Sequence, residues 1–179
     1  MMFAWLKKFS KQRLSWLLLL LTALGLQLAA LYFQYGMGLE PCMQCVYIRA
    51  AVAGIFLAAL LGLLAPASTP VRLLAGLGWL AAAVYGWQQA RKLSGIEQLI
   101  ADGGFYSCAL FADFPEWMPL HQWFPAMFDP IGPCGAIDWQ FAGASMADWM
   151  QWIFVAYALV AVLVLLSQAV RLSTNPYKG

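Results

Sequence analysis

Four long apolar runs, separated by shorter polar segments, dominate this chain. Each run has about 20 residues, and at about 1.5 Å per residue a helix of that length crosses a hydrocarbon core of about 30 Å. The pattern predicts an all-α membrane protein, a four-transmembrane-helix bundle that forms a single integral membrane domain over residues 1–179. The runs are Leu14–Phe33, Val46–Ala65, Val71–Gln89 and Trp149–Ala169.

The composition also favours a membrane setting. Hydrophobic residues make up 63% of the 179 residues, charged residues make up only 10%, and the mean hydropathy is +0.72. A soluble domain of this size could not bury so much apolar surface in one core. The net charge of +2 gives no reason to expect nucleic acid as a partner.

The basic residues predict how the chain is oriented in the membrane. If four helices cross it, the amino terminus, the turn between the second and third helices and the carboxyl-terminal tail share one side. By the positive-inside rule that side is the cytoplasm, so both termini are cytoplasmic. The loops at about residues 34–45 and 90–148 then face outward, which in a bacterial-type cell is the periplasmic side of the inner membrane. The basic residues on the cytoplasmic side are Lys7, Lys8, Lys11, Arg13, Arg72, Arg171 and Lys178.

All four cysteines fall on the predicted outer side, where disulfides can persist. Cys42 and Cys45 form a Cys-x-x-Cys pair at the start of the second run, whereas Cys108 and Cys134 lie in the long second loop. Four cysteines permit three pairings. The three-residue spacing makes Cys42–Cys45 one natural pair and leaves Cys108–Cys134 as the other. Four thiols at a membrane boundary indicate redox chemistry.

The Cys-x-x-Cys pair is predicted at the beginning of a helix. Pro41 suits the first turn of a helix, because its missing N–H would have no partner there. The helix dipole, together with Arg49 one turn after Cys45, favours the thiolate form of a nearby thiol. An arginine at the membrane edge is costly, which makes Arg49 a functional candidate. The alternative is that Arg49 only snorkels to the lipid head groups.

Static roles for the cysteines are the main alternative to redox work. A Cys-x-x-Cys pair can be half of a structural zinc site, completed by Cys108, Cys134 or His121, but no second close spacing accompanies it. Two structural disulfides are a further alternative. The sequence does not favour haem attachment, since Val46 and not histidine follows Cys45. We expect His121 to be an interfacial surface residue, because its neighbours in the sequence form no triad or ligand set.

The long outer loop interleaves aromatic residues with prolines. The prolines block a long helix, and the aromatic residues favour the head-group level of the membrane, so the loop is predicted to carry a short interfacial helix. Anchoring of this kind would hold Cys108 and Cys134 close to the other cysteine pair. The two stretches concerned are Phe114–Leu120 and Trp123–Pro125.

In combination, these motifs closely resemble those of the disulfide-bond-formation protein B (DsbB) family. The shared features are Pro-Cys-x-x-Cys at the start of the second of four spans, Arg49 one turn later, and Cys108 and Cys134 in a large outer loop. The stretch Phe-Pro-Glu-Trp-Met-Pro-Leu between those two cysteines also matches. The resemblance covers nearly the whole chain.

The resemblance implies a quinone-dependent protein thiol oxidase of the inner membrane, with no metal. Its partner would be DsbA, a periplasmic oxidase of the thioredoxin fold, and its cofactor a quinone of the membrane pool, ubiquinone or menaquinone. Cys108 would form the mixed disulfide with reduced DsbA, and Cys134 would then exchange with Cys42. Cys45 would face the quinone beside Arg49, where electrons leave the chain.

Two features depart from the family pattern near the implied quinone site. A histidine close to the end of the third span is absent, and the segment Arg91–Gly95 stands in that region. The residues between the two cysteines, Met43 and Gln44, replace a fully apolar pair. Gln34, near the end of the first span, is either a quinone contact or a head-group contact.

Rival functions stay open at this point. One is a DsbI-like paralogue that serves a dedicated partner oxidase, and another is a membrane protein with static structural or metal-binding cysteines. A vitamin K epoxide reductase-type enzyme shares the chemical logic, but the four cysteines and the aromatic loop match DsbB better.

Overall fold

The computed structural model describes residues 2–107, 114–116, 118–135 and 139–169, with side chains from Trp5 onward. Long helices form most of this part of the chain. They are α1 (Met2–Ser10), α2 (Arg13–Leu31) with a π-helical turn (Tyr32–Gly36), α3 (Met43–Leu64), α4 (Thr69–Ala101), α5 (Leu120–Trp123), α6 (Pro125–Phe128) and α7 (Met146–Ala169). A short antiparallel pair, β1 (Gln140–Phe141) and β2 (Ala144–Ser145), leads directly into α7.

The structure confirms a helical membrane protein. Among the described residues, three helices are long and apolar enough to cross a bilayer: Arg13–Gly36, Met43–Leu64 and Met146–Ala169. The third predicted run, 71–89, lies within α4. Glycines, Trp79 and Tyr85 lower the mean hydropathy of this part of α4. Because α4 packs against both α3 and α7, less of its surface has to be apolar to face lipid. The count of four spans stays a prediction.

Small residues let the long helices approach closely. Helix α3 packs against α2 and α4, and α4 also packs against α7. A Cβ on Gly62 would overlap the ring of Trp16, and a Cβ on Gly86 would overlap the ring of Phe154. Because lipid offers no hydrophobic driving force between helices, close packing of this kind holds a membrane bundle together. The fully buried alanines of this packing are Ala23, Ala59, Ala75, Ala83, Ala90, Ala147 and Ala161.

Arg72 fastens the turn between α3 and α4. As its prolines predict, the segment Pro66–Pro70 ends one helix and starts the next. The buried Arg72 side chain donates to the carbonyl oxygens of Pro66 at 2.7 Å and Ala67 at 2.8 Å. It also donates to Gln168 Oε1 of α7 at 3.2 Å. One guanidinium thus satisfies two carbonyl groups of the turn and ties the turn to the last helix.

In the described part of the loop before α7, the helical pieces are short. Helices α5 and α6 are single turns, and α6 packs against α3. The prolines explain why the helix is broken, since Pro119 and Pro125 each stand where a helix starts and cannot continue one. The interfacial position of this segment stays a prediction.

We predict that Gly86→Ala destabilises the bundle. The added methyl group must displace the buried ring of Phe154, and overpacking of a core costs about 1–3 kcal/mol. Thermal unfolding in detergent measures the loss as a lower midpoint. Gly95→Ala is the matched control on the same helix, because its Cβ would meet nothing within 4 Å. Equal midpoints for the two variants would contradict this packing.

Candidate active site

Cys42 caps the amino terminus of α3. Its backbone is extended (φ −76°, ψ 168°), and its sulfur accepts a hydrogen bond from the backbone N–H of Cys45 at 3.2 Å. The cysteine therefore takes the role that serine or aspartate usually plays at a helix start. Pro41 is the residue before the cap. It therefore lies just outside the helix and not in its first turn, where the sequence predicted it.

The two sulfurs of this pair are free thiols in the structure, so the predicted Cys42–Cys45 bridge is not formed here. Cys42 is buried and Cys45 is partly buried. Cys134 is disulfide-bonded. Cys108 lies outside the described residues.

The segment that carries Cys134 lies against the start of α3. The backbone N–H groups of Ile131 and Gly132 both donate to the carbonyl oxygen of Pro41, at 3.2 and 3.1 Å. A Cβ on Gly132 would overlap the backbone of Glu40, so only glycine permits this approach. The structure thus brings together three of the four predicted cysteines, at one end of the bundle.

Arg49 lies one turn below Cys45 and points into the protein. The residue is only 7% exposed, and its guanidinium donates to Ala30 O at 3.1 Å, to Met127 O at 3.1 Å and to Gln34 Oε1. These contacts exclude the snorkelling alternative in this structure. They also give Gln34 a role as a hydrogen-bond partner of Arg49.

The π-helical turn at the end of α2 contributes to this arrangement. It begins directly after α2 and contains Gln34, whose amide nitrogen also donates to Ala126 O at 3.4 Å. Tyr35 in the same turn donates to Ala126 O at 2.7 Å. Turns of this type are frequent at functional sites. Here the turn connects α2 to α6 and places an acceptor against Arg49.

A cavity of about 120 Å³ joins these groups. Cys42, Cys45 and Arg49 line it together with Gln27 and Glu97. Most of the remaining wall is apolar, as expected for a small-molecule site with a few placed polar groups. Among the apolar residues are Leu26, Phe33, Ile48, Val52, Leu93 and Met150.

Gln27 and Glu97 are two residues of the site that sequence reasoning missed. Gln27 is a polar residue inside the first apolar run, which is itself an indication of function. Its buried Oε1 has no hydrogen-bond partner, and its amide nitrogen contacts Met127 Sδ at 3.6 Å. Glu97 lies beyond the third predicted run, and only the packing of α4 against α3 shows that it reaches the cavity.

The surroundings of Cys42, which stands just before the membrane-spanning part of α3, favour its thiolate. The hydrogen bond with the Cys45 side chain is the largest effect that lowers the Cys42 pKa, and backbone N–H groups of Cys45 and Gln44 lower it further. Burial and the charge of Glu97 act in the opposite direction. The net effect is a pKa below that of an ordinary thiol.

His121 takes no part in the cavity. Its ring stacks on Phe114 with the ring centroids 6.0 Å apart. Within the described ranges no group of three or more His, Cys, Asp or Glu residues is arranged to hold a metal ion.

The fold and the site together define a class of protein. A helical membrane protein with a dithiol at a helix start, a buried arginine and an apolar cavity between them is typical of a membrane thiol oxidoreductase. The model of the family "Disulfide bond formation protein DsbB" matches residues 12–164. The chain belongs to the disulfide bond formation protein B (DsbB) family, whose members are disulfide oxidoreductases.

Individual relatives agree with the family match. Disulfide bond formation protein B of Shewanella frigidimarina is 45% identical over 161 residues, which cover 90% of this chain and 94% of that protein. The protein of the same name from Yersinia enterocolitica is 45% identical and covers 95% of both chains. That of Pasteurella multocida is 43% identical and covers 96% of this chain and 95% of its own.

We predict that Cys45→Ala raises the Cys42 pKa. The substitution removes the side-chain hydrogen bond that lowers this pKa most, while the backbone N–H at position 45 is kept. The pH dependence of Cys42 alkylation by iodoacetamide, followed by mass spectrometry, should therefore move to higher pH in the variant. A profile that stays in place or moves to lower pH would contradict the assigned hydrogen bond.

Proposed function

We propose that this protein reoxidises a periplasmic DsbA-type oxidase and passes the electrons to membrane quinone. The observation that carries the proposal is the single cavity in which the Cys42–Cys45 dithiol meets Arg49. A disulfide oxidase role fits the family to which the chain belongs. The finer assignments of partner, cofactor and individual residues rest on the site described above.

The proposed topology has four spans in the inner membrane, within a single domain of residues 1–179. The termini lie in the cytoplasm and the cysteines on the periplasmic side. The basic residues support this orientation, since the buried Arg72 sits at the end of the bundle opposite the cysteines, in the α3–α4 turn. The two loops, about 34–45 and 90–148, then share the periplasmic face.

Thiol exchange with the partner begins at the outer loop. We assign Cys108 as the partner of Cys134 in the loop disulfide, because both remaining cysteines are free. A DsbA thiolate attacks Cys108 and forms the mixed disulfide, and Cys134 leaves as a thiolate. The contacts of Ile131 and Gly132 with Pro41 support the next step, because they hold the Cys134 segment beside Cys42.

The second exchange transfers the electrons to the pair on α3. With Cys42 and Cys45 joined as a disulfide, the Cys134 thiolate attacks Cys42, the bond to Cys45 breaks, and Cys45 leaves as a thiolate. The second DsbA thiol then releases Cys108, and Cys108 releases Cys42 by attacking Cys134. Two electrons have moved from DsbA to the dithiol state that the structure contains.

The cavity residues fit a quinone. When bound, a quinone supplies a two-electron, two-proton acceptor with an apolar ring and two polar oxygens. The apolar walls suit the ring, and the Arg49 guanidinium can donate to a ring oxygen. The buried, unpartnered Oε1 of Gln27 can accept a hydrogen bond from an O–H of the reduced ring. Both ubiquinone and menaquinone share these features.

Arg49 has two tasks in this scheme. Its positive charge stabilises a thiolate at Cys45, one helical turn away on the same face. It also offers charge-assisted hydrogen bonds to an acceptor oxygen in the cavity. The contacts with Gln34, Ala30 and Met127 hold the guanidinium in place for both tasks.

Quinone reduction by the purified protein tests the proposed function. Reduced DsbA serves as electron donor in detergent, and ultraviolet absorbance follows a short-chain ubiquinone. We expect rapid turnover that Cys45→Ser abolishes, because Cys42 then has no partner with which to form the disulfide that gives up the electron pair. Turnover with a dedicated oxidase but not with DsbA would indicate the DsbI-like alternative. Absence of turnover with any thiol donor would contradict the proposal and favour static cysteines.

We predict that Arg49→His weakens quinone use more than thiol exchange. Loss of one charge-assisted hydrogen bond of about 1.5–3 kcal/mol should raise the KM for quinone by about tenfold or more. The rate of mixed-disulfide formation with DsbA should change little, since that step takes place at the outer loop. Arg49→Lys keeps the charge but loses the planar, forked geometry of the guanidinium. Its KM for quinone should lie between those of the wild type and Arg49→His. Unchanged quinone kinetics in Arg49→His would refute the role.

A further inference from the structure

One buried acidic side chain in the cavity has no role in the proposed function. Glu97 of α4 is only 7% exposed and lines the cavity with Cys42, Cys45 and Arg49. Buried carboxylates are rare unless paired, because the loss of hydration is costly. Its position in the reaction cavity therefore needs an explanation.

The neighbours of Glu97 have a structural role that does not require it. Ser145 and Asp148 form a capping box at the start of α7: the Ser145 N–H donates to Asp148 Oδ2 at 3.2 Å, and the Asp148 N–H donates to Ser145 Oγ at 3.3 Å. Ser94 adds a hydrogen bond to Asp148 Oδ1 at 2.7 Å. The helix start is thus complete without Glu97.

Ser145 gives Glu97 a partner in both of its protonation states. The Ser145 hydroxyl lies 2.5 Å from Glu97 Oε2 and 3.2 Å from Asp148 Oδ2. A hydroxyl has one proton but can donate or accept. It donates to Glu97 when that carboxyl is charged. When Glu97 is protonated, Glu97 can donate to Ser145, and the hydroxyl turns to Asp148. The site can therefore hold or release a proton without leaving a buried group unpaired.

We propose that Glu97 is the group that exchanges a proton with the Cys42 thiol during the dithiol–disulfide cycle. This inference rests on the proposed function. When the Cys42–Cys45 disulfide forms, the Cys42 S–H bond breaks, its proton moves to Glu97, and the two electrons of the dithiol pass to the quinone, which takes its two protons from solvent. When exchange later releases Cys42 as a thiolate, Glu97 returns the proton. No electrons pass through the carboxyl.

The shape of the site permits this transfer. Cys42 and Glu97 line the same cavity from α3 and α4, and a volume of about 120 Å³ has room for water between them. General acid–base catalysis through one bridging water is an established geometry. The alternative route to bulk solvent is poor, because Cys42 is only 4% exposed.

The charges around Glu97 are consistent with a proton-exchanging group. The Glu97 pKa is raised above its ordinary value, and burial is the largest cause. The Ser145 hydrogen bond lowers this pKa, and the charge of Asp148 raises it. Glu97 lies beyond the predicted span 71–89 of its own helix. Facing it across the site are Asp148 of α7, Glu40 of the first outer loop, and Cys42, Cys45 and Arg49 at the start of α3.

Glu97→Gln separates proton transfer from a simple charge effect. The negative charge of Glu97 raises the Cys42 pKa, so its removal should move Cys42 alkylation to lower pH, a readout that needs no quinone. A charge effect alone would then speed oxidation, since more thiolate is present. Loss of the proton acceptor should instead slow it by about 100-fold, the lower end of the usual range for general acid–base catalysis.

The experiment is single-turnover oxidation of the reduced, detergent-purified protein by a short-chain ubiquinone, recorded over a range of pH. We expect the wild-type rate to rise with pH as Glu97 ionises, and Glu97→Gln to be slow and to lack this rise. Ser145→Ala removes the hydrogen bond that lowers the Glu97 pKa. In this variant the rise of the oxidation rate should therefore occur at higher pH. Glu97→Asp should recover part of the rate.

Glu116→Gln is the matched control, because Glu116 is exposed and does not line the cavity. It should oxidise like the wild type. If the wild type reduces quinone and Glu97→Gln is oxidised as fast or faster, only the role of Glu97 is overturned. A wild type that does not reduce quinone at any pH would overturn the proposed function and this inference together.

Discussion

The buried guanidinium of Arg49 is the interaction on which the site depends. Burying such a charge is costly unless its hydrogen bonds are satisfied, and here the acceptors come from three different parts of the chain. Ala30 O lies in α2, Gln34 Oε1 in the π-helical turn, and Met127 O in α6. One side chain therefore fixes α2 and the segment around α6 relative to α3, the helix that starts at the two thiols.

The proposed function joins two kinds of chemistry that need different solvents. Thiol exchange requires sulfurs that a soluble partner can reach, whereas a lipid-soluble acceptor requires an apolar cavity at membrane depth. The amino terminus of α3 suits both, since Cys42 caps the helix next to the Cys134 segment and Cys45 lies one turn further in. Unpaired N–H groups at a helix start also stabilise negative charge on sulfur.

Sequence patterns predicted the helices well because the bilayer imposes both their length and their composition. Three of the four predicted runs coincide with helices long and apolar enough to span. Helix α4 extends far beyond its predicted run, since α3 and α7 shield it and its polar end continues outside the apolar region. Arg49 and the Cys-x-x-Cys pair were recognised from local spacing. Glu97 was not, because its place in the cavity depends on packing between distant segments. Gln27 was also missed, although a polar residue inside an apolar run is a signal in the sequence itself.

The most direct test of the account is to locate the quinone. A photoreactive ubiquinone analogue is bound to the purified protein, activated by light and mapped by mass spectrometry, with unlabelled ubiquinone as competitor. The account predicts competed labelling of the α2 and α3 segments around Gln27 and Arg49, which line the same cavity as Cys45. Competed labelling only at sites away from this cavity would contradict it.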